Sequence, residues 1–176
     1  MILTKQRILH DIQIGRIEID PFVKENVQPT SVDLRIHPQM YKAADYILDM
    51  KKKPDLREIT IPNDGLVLNP SQLYLARTVE RVHTDYYVTQ ITGKSSIGRL
   101  GVQVHMTAAF AEPGFNGTWT LEISVVKPVR IYPNVRFCQV YFSEISGNVD
   151  LYEGHYQNQV DATASKAHEW LKKEQL

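Results

Sequence analysis

Apolar residues in this chain recur at every second position over short runs, and turn-forming residues separate the runs. Val32, Leu34 and Ile36 alternate with Asp33 and Arg35. Leu66-Val67-Leu68, Leu73 to Arg77 and, more loosely, Tyr86 to Thr92 repeat the pattern. Val102-Gln103-Val104-His105-Met106 reads as a clean alternating strand, and Arg136 to Phe142 as another. In a further run, Trp119, Leu121, Ile123 and Val125 share one face while Thr120, Glu122 and Ser124 share the other. A period of two suits a strand buried on one side and no helix. Asn63-Asp64-Gly65, Asn69-Pro70-Ser71, Pro113-Gly114, Asn116-Gly117 and Tyr132-Pro133-Asn134 read as the intervening turns. The spacing predicts a mainly β fold: a sandwich, a jelly roll or a distorted barrel.

Helices are expected only near the ends. Thr4 is placed to cap a short N-terminal helix with Ile8, Leu9 and Ile12 on one face and Gly15 as its stop. Arg16 to Ile19 then alternates until Asp20-Pro21 breaks the pattern. After Ser165, Ala167, Trp170 and Leu171 suit a small closing helix.

A length of 176 residues gives one domain with a sizeable core. Its 20 basic and 20 acidic side chains cancel, which argues against a sequence-blind binder of nucleic acid or of membrane surfaces. A small anionic ligand needs only a few converging cations. Cys138 is the sole cysteine, so neither an intramolecular disulfide nor a cysteine-rich zinc site is available, and it reads most simply as a small core hydrophobe. No run approaches the roughly 20 apolar residues of a membrane span. Met1-Ile2-Leu3 followed by Lys5 and Arg7 lacks the pattern of a signal peptide, giving the expectation of a cytoplasmic protein. Lys51-Lys52-Lys53-Pro54-Asp55 reads as a solvated loop without function.

The densest polar chemistry lies between Gly93 and Glu122. Lys94, Ser95, Ser96 and Arg99 sit among Gly93, Gly98 and Gly101, where hydroxyls, cations and close backbone approach suit phosphate oxygens. A polar β-turn explains the same residues. Glu122 is ordinary if its strand face meets solvent; if that face lines a pocket, burial raises its pKa toward the range of a general base. His105 and Asp33 read as structural. The spacing of a Walker loop is missing, as is G-x-S-x-G. His168-Glu169 with one cysteine is not the zinc signature of nucleobase deaminases.

The joint order of these segments resembles the dCTP deaminase branch of the trimeric dUTPase superfamily. Gly93-Lys94-Ser95-Ser96-Ile97-Gly98-Arg99-Leu100-Gly101, Val104-His105-Met106-Thr107-Ala108, Glu112-Pro113-Gly114-Phe115 and Leu121-Glu122 carry the resemblance. It extends to Gln28-Pro29-Thr30-Ser31-Val32-Asp33-Leu34-Arg35, Lys127-Pro128-Val129, Gln139 and Tyr156-Gln157-Asn158-Gln159. The resemblance implies a distorted dUTPase-like β-barrel or jelly roll over residues 1–176, with about 152–176 as a C-terminal lid. It implies Glu122 as the residue that activates water without zinc, and Ser95 and Arg99 as the groups that orient water, carboxylate and leaving amine. Lys94 and Ser96 fall on the triphosphate side, Thr107 and Ala108 at the edge that reads the base, and Tyr156 and Gln159 on the lid. It also implies a homotrimer with sites between subunits, Mg²⁺ carried by the triphosphate, dCTP as substrate, and dUTP and dTTP as further nucleotide ligands.

The chain departs from the family pattern at four places. Glu112 replaces an aspartate associated with phosphate hydrolysis, which counts against pyrophosphatase activity. Asp161 replaces a lid glycine; a carboxylate near triphosphate repels it, so Asp161→Gly is expected to tighten binding. Asn134 replaces a turn glycine, and asparagine tolerates positive φ. Lys94 replaces the commoner arginine, keeping the charge without the fork. The short Val125-Val126-Lys127-Pro128-Val129 connection points instead toward dUMP-forming enzymes. The sequence reading is deamination of dCTP to dUTP and ammonia. Direct dUMP formation, a dUTP pyrophosphatase and a catalytically silent nucleotide-binding regulator stand as alternatives.

Overall fold

A computed structural model describes residues 1–174. Eleven strands form in chain order: β1 (Glu18–Asp20), β2 (Val32–Ala43), β3 (Leu56–Thr60), β4 (Leu66–Leu68), β5 (Tyr74–His83), β6 (Val88–Gly93), β7 (Val102–Gln103), β8 (Phe110–Ala111), β9 (Asn116–Val125), β10 (Val129–Ile131) and β11 (Arg136–Ser143). The helices are α1 (Lys5–Gln13), α2 (Ser95–Gly98) and α3 (Ala167–Lys173), with a 3₁₀ turn at Lys24–Asn26. One antiparallel sheet runs β7-β9-β5-β2-β11-β6-β8, with β1 against β5 and β3 against β2; β10 pairs β4 separately. The sheet curls into a half-barrel around a core that includes Leu34, Ile36, Met40, Leu121, Phe137 and Phe142. The mainly β expectation holds.

The long strand β2 explains the curl. It pairs β11 through Val32–Arg35 and then β5 through Ile36–Lys42, with a register shift between Ile36 and Met40. Pro38 lies within that shift, where a residue lacking an N–H removes no ladder bond. Glu80, 1% exposed, closes the bend: one carboxylate oxygen accepts from the Arg35 amide at 2.8 Å and the other from Arg35 Nε at 2.6 Å. The matching shift in β5, between Arg77 and Arg81, is pinned by Thr78, whose hydroxyl donates to the Glu80 carbonyl and accepts from the Trp119 amide.

Several local expectations need correction. Val102 to Met106 is paired only over Val102–Gln103; Val104 is buried, but the chain bends away after it toward an exposed Met106. Asn116-Gly117 opens β9 instead of making a turn. Thr4 precedes α1 without a side-chain cap; its carbonyl alone joins the helix, accepting from the Ile8 amide. The Gly93–Gly101 run contains one helical turn, not a β-turn. β3, β8 and β10 lacked a clear alternating pattern and were not foreseen. Gly15 ends α1 at φ +72°, and Asn134 adopts φ 59°, both as expected.

Helix α1 is fastened by a buried polar knot. The Asp11 side chain has no exposure; its Oδ2 accepts from Arg7 Nε at 2.8 Å and from the Tyr87 hydroxyl, which in turn accepts from Arg7. Burial pushes the Asp11 carboxyl upward, but the hydrogen bonds from Tyr87 and Arg7 outweigh it and hold the pKa below the ordinary aspartate value. A carboxylate depressed below its unfolded pKa of about 3.9 stabilises the fold above that value and loses the contribution as pH falls through the folded pKa. Asp11→Asn is expected to cost about 1–3 kcal/mol at pH 7. In urea melts the gap from wild type should close below about pH 4, and a gap that widens in acid would contradict this account.

Candidate active site

Strand β9 builds the site because its two faces differ. Trp119, Leu121, Ile123 and Val125 are buried, while Thr120, Glu122 and Ser124 are half-buried on the other side, as the alternation predicts. Glu122 lies opposite Leu75 of β5 and lines a cavity of about 640 Å³. Ala108, Glu112, Tyr156 and Gln159 line the same cavity, and Leu75, Phe110, Phe115 and Trp119 supply apolar wall. Burial pushes the Glu122 carboxyl above the ordinary glutamate range; the Met106 amide, donating to Oε2 at 3.2 Å, and the His105 imidazole draw it part of the way back. A half-buried carboxylate with a raised pKa, facing a largely apolar cavity, has the character of a general base.

The other expected residues are not all brought to this point. Among the residues lining the cavity there is none from the run 94–99. Ser95, Ser96 and Arg99 are exposed on and after the short α2. Lys94 is engaged elsewhere, its Nζ donating to Asp33 Oδ1 at 2.5 Å. Asp33 is 1% exposed and also meets Gln28 Nε2 at 3.2 Å and Arg136 at 3.6 Å, which fits its structural reading. Thr107 is exposed beside Ala108 without lining the cavity, and its carbonyl accepts from the Ala109 amide. The chain therefore carries the carboxylate and the pocket at one place and the serine–arginine cluster at another.

The C-terminal segment lies against β9. The Asn158 amide donates to the Asn116 carbonyl at 2.8 Å, the Thr118 amide to the Gln159 carbonyl at 3.0 Å, and the Thr163 amide to the Thr120 hydroxyl at 3.1 Å. Phe115 holds the start of the segment by edge-on packing between Trp119 and Tyr152, at 5.6 and 5.9 Å between centroids. The Tyr156 hydroxyl accepts from the Lys166 amide.

Asp161 is not a free charge facing the cavity. Its Oδ2 accepts from the Tyr41 hydroxyl at 2.6 Å, and its Oδ1 stands 3.5 Å from Arg77 Nε. That geometry removes the basis for expecting Asp161→Gly to tighten triphosphate binding. Several neighbours of the site also escaped the sequence reading. His105, set aside as structural, acts electrostatically on Glu122. Lys52, in the run read as a bare solvated loop, stands on the cavity wall with Leu48 and Met50.

Gly117 did carry a local signal, since a glycine inside a strand marks close backbone approach. A Cβ there would meet the Gln159 carbonyl oxygen at 2.7 Å. Gly117→Ala is expected to push residues 157–160 off β9. Hydrogen exchange should then quicken at Asn158 and Thr118 while the β5–β9 core amides keep their protection. Unchanged exchange at Asn158 would refute the clash.

Among the described residues no group of three or more His, Cys, Asp or Glu side chains is placed to hold a metal, and no helix is long and apolar enough to cross a membrane.

Comparison with known proteins gives the family. A family model described as dCTP deaminase-like matches residues 2–145. A protein of Hathewaya histolytica named "dCTP deaminase, dUMP-forming" is 45% identical over 159 residues, covering 90% of this chain and 92% of the relative. One of Clostridium beijerinckii with the same name is 46% identical over 159 residues, covering 90% and 91%. The crystal structure of 2′-deoxycytidine 5′-triphosphate deaminase from Agrobacterium tumefaciens shares the fold, with a TM-score of 0.62 at 24% identity; the match spans 80% of this chain and 47% of that one, about half its length. A match over most of the chain, with relatives of this identity and coverage, places the chain in the dCTP deaminase-like family.

Proposed function

We propose that this protein is an enzyme that hydrolytically deaminates dCTP, and that Glu122 is its general base. The observation that carries the reading is the raised, half-buried Glu122 carboxylate on the wall of a cavity shared with Ala108, Tyr156 and Gln159. In the ionised form Glu122 takes a proton from water as the oxygen attacks C4 of the cytosine ring. It passes that proton to the ring nitrogen N3, then moves the proton of the new C4 hydroxyl to the amino group, so that C4=O forms as the C4–N bond breaks and ammonia leaves. Water and dCTP become dUTP and ammonia. A base of this kind contributes about 10²–10⁴-fold.

Ser95 and Arg99 are the proposed orienting groups, with Lys94 and Ser96 toward the triphosphate and Thr107 beside the base-reading Ala108. Their separation from the Glu122 cavity within one chain supports a homotrimer in which a neighbouring subunit supplies the cluster. Residues about 152–176 serve as the lid of this single domain; 175 and 176 lie outside the described residues. Mg²⁺ would enter with the triphosphate and offset its charge. Nucleotide-pool chemistry of this kind fits a cytoplasmic enzyme.

A second reading adds hydrolysis of the same nucleotide, giving dUMP, pyrophosphate and ammonia from dCTP and two waters. Two observations favour it. The relatives from Hathewaya and Clostridium bear that name, and Glu112 lines the same cavity as Glu122. Glutamate has one more methylene than the aspartate of the family pattern.

Incubation with dCTP and Mg²⁺, with dUTP in parallel and products resolved by ion exchange, separates the readings. Ammonia from dCTP is expected under either reading; dUTP as the other product fits the first, and dUMP with pyrophosphate fits the second. Hydrolysis of dUTP without turnover of dCTP would overturn the proposal in favour of a pyrophosphatase, and inertness toward both would leave a binding protein. Glu122→Gln is expected to lower turnover by at least about 10²-fold while dCTP binding stays within a few-fold. Near-normal turnover in that variant refutes the mechanism. Because the base must be ionised, kcat/KM in the wild type should decline as pH falls through a value above the ordinary glutamate range.

A further inference from the structure

The contacts of Asp161 form a polar network beside the Glu122 cavity. The segment 157–163 is held to β9 by hydrogen bonds on either side of this residue, backbone to backbone at Asn158 and Gln159 before it and from the Thr163 amide to the Thr120 hydroxyl after it. Asp161 itself reaches the other way, to two adjacent strands. Tyr41 of β2 donates its hydroxyl at 2.6 Å, and Arg77 of β5 stands at 3.5 Å. Both anchors are fixed in turn: Gln39 Nε2 donates to the Tyr41 hydroxyl at 3.1 Å, and an Arg77 terminal nitrogen meets His37 Nε2 at 2.8 Å. The remaining Asp161 oxygen capacity accepts from the Ala162 amide at 2.7 Å, which fixes the chain direction just past the residue. The hydrogen bond to Asp161, with burial, pushes the Tyr41 hydroxyl up to about 12, so it stays a donor throughout the neutral range.

The residues flanking this anchor are those that meet the cavity. Gln159 precedes Asp161 by two positions, Thr163 follows by two, and both line the wall that carries Glu122. A displacement of Asp161 therefore moves two parts of that wall together.

We propose that Asp161 is a positioning residue, a latch whose carboxylate, held by Tyr41 and Arg77, keeps residues 157–163 closed along β9 and thereby sets the affinity of the cavity for its nucleotide. The affinity part rests on the deaminase reading; the closure part does not. A charge-assisted hydrogen bond such as that from Tyr41, on a carboxylate partly open to water, shifts a closed–open equilibrium by roughly tenfold.

The test compares wild type with Asp161→Asn, which keeps the shape without the charge, and Tyr41→Phe, which removes the hydroxyl that donates to Asp161 and accepts from Gln39. Backbone hydrogen exchange at Asn158 to Thr163 is expected to quicken about tenfold or more in both variants, with Leu121 and Ile123 in β9 unchanged. KM for dCTP should rise about tenfold while kcat stays within about threefold. Unchanged exchange in both variants overturns the latch. Faster exchange with unaltered KM overturns its role in affinity. A wild type inert toward dCTP would refute the functional reading alone, and exchange would still decide the latch.

Discussion

The structure depends first on where β2 changes partners. At Arg35–Ile36 the strand leaves β11 for β5, and the peptide groups at such a bend lose their regular ladder. Glu80 replaces them, one oxygen on the Arg35 amide and one on its guanidinium, in a position shielded from water. A buried charge pair of this kind is costly to break, because removing one partner strands the other. It specifies one register, and a one-residue slip would turn every side chain of the strand to the wrong face.

From that bend the sheet curls, and the curl gives β9 two different environments. One face packs into the core through Leu121 and Ile123; the other holds Glu122 against a cavity. The same strand then receives the C-terminal segment along its first half. Gly117 admits the Gln159 carbonyl at close range, and Asp161 reaches across to β2 and β5. A carboxylate shifted upward by desolvation and a segment docked beside it are thus both consequences of one strand's placement. Ser95, Ser96 and Arg99, on and just after α2, do not line that cavity, and a neighbouring subunit is the proposed source of this cluster.

Local pattern alone determined much of this protein. The alternation of Trp119, Leu121, Ile123 and Val125 fixed the buried face of β9, and so the outward face of Glu122, because side chains in a strand have a period of two. Turn residues such as Gly15 and Asn134 announced their positive φ values, and the ordered motifs from Gly93 to Glu122 identified the family. What stayed hidden depends on contacts between residues far apart in sequence. Whether Glu122 meets solvent or a cavity, whether Lys94 faces phosphate or Asp33, and whether Asp161 repels a ligand or pairs with Tyr41 are set by what the curled sheet brings alongside. Those neighbours lie 61 residues away for Lys94 and 120 for Asp161, beyond the reach of any local periodicity. Charge and polarity are properties of a residue and are written in the sequence, whereas desolvation and pairing are properties of its surroundings and arise only when the chain closes on itself.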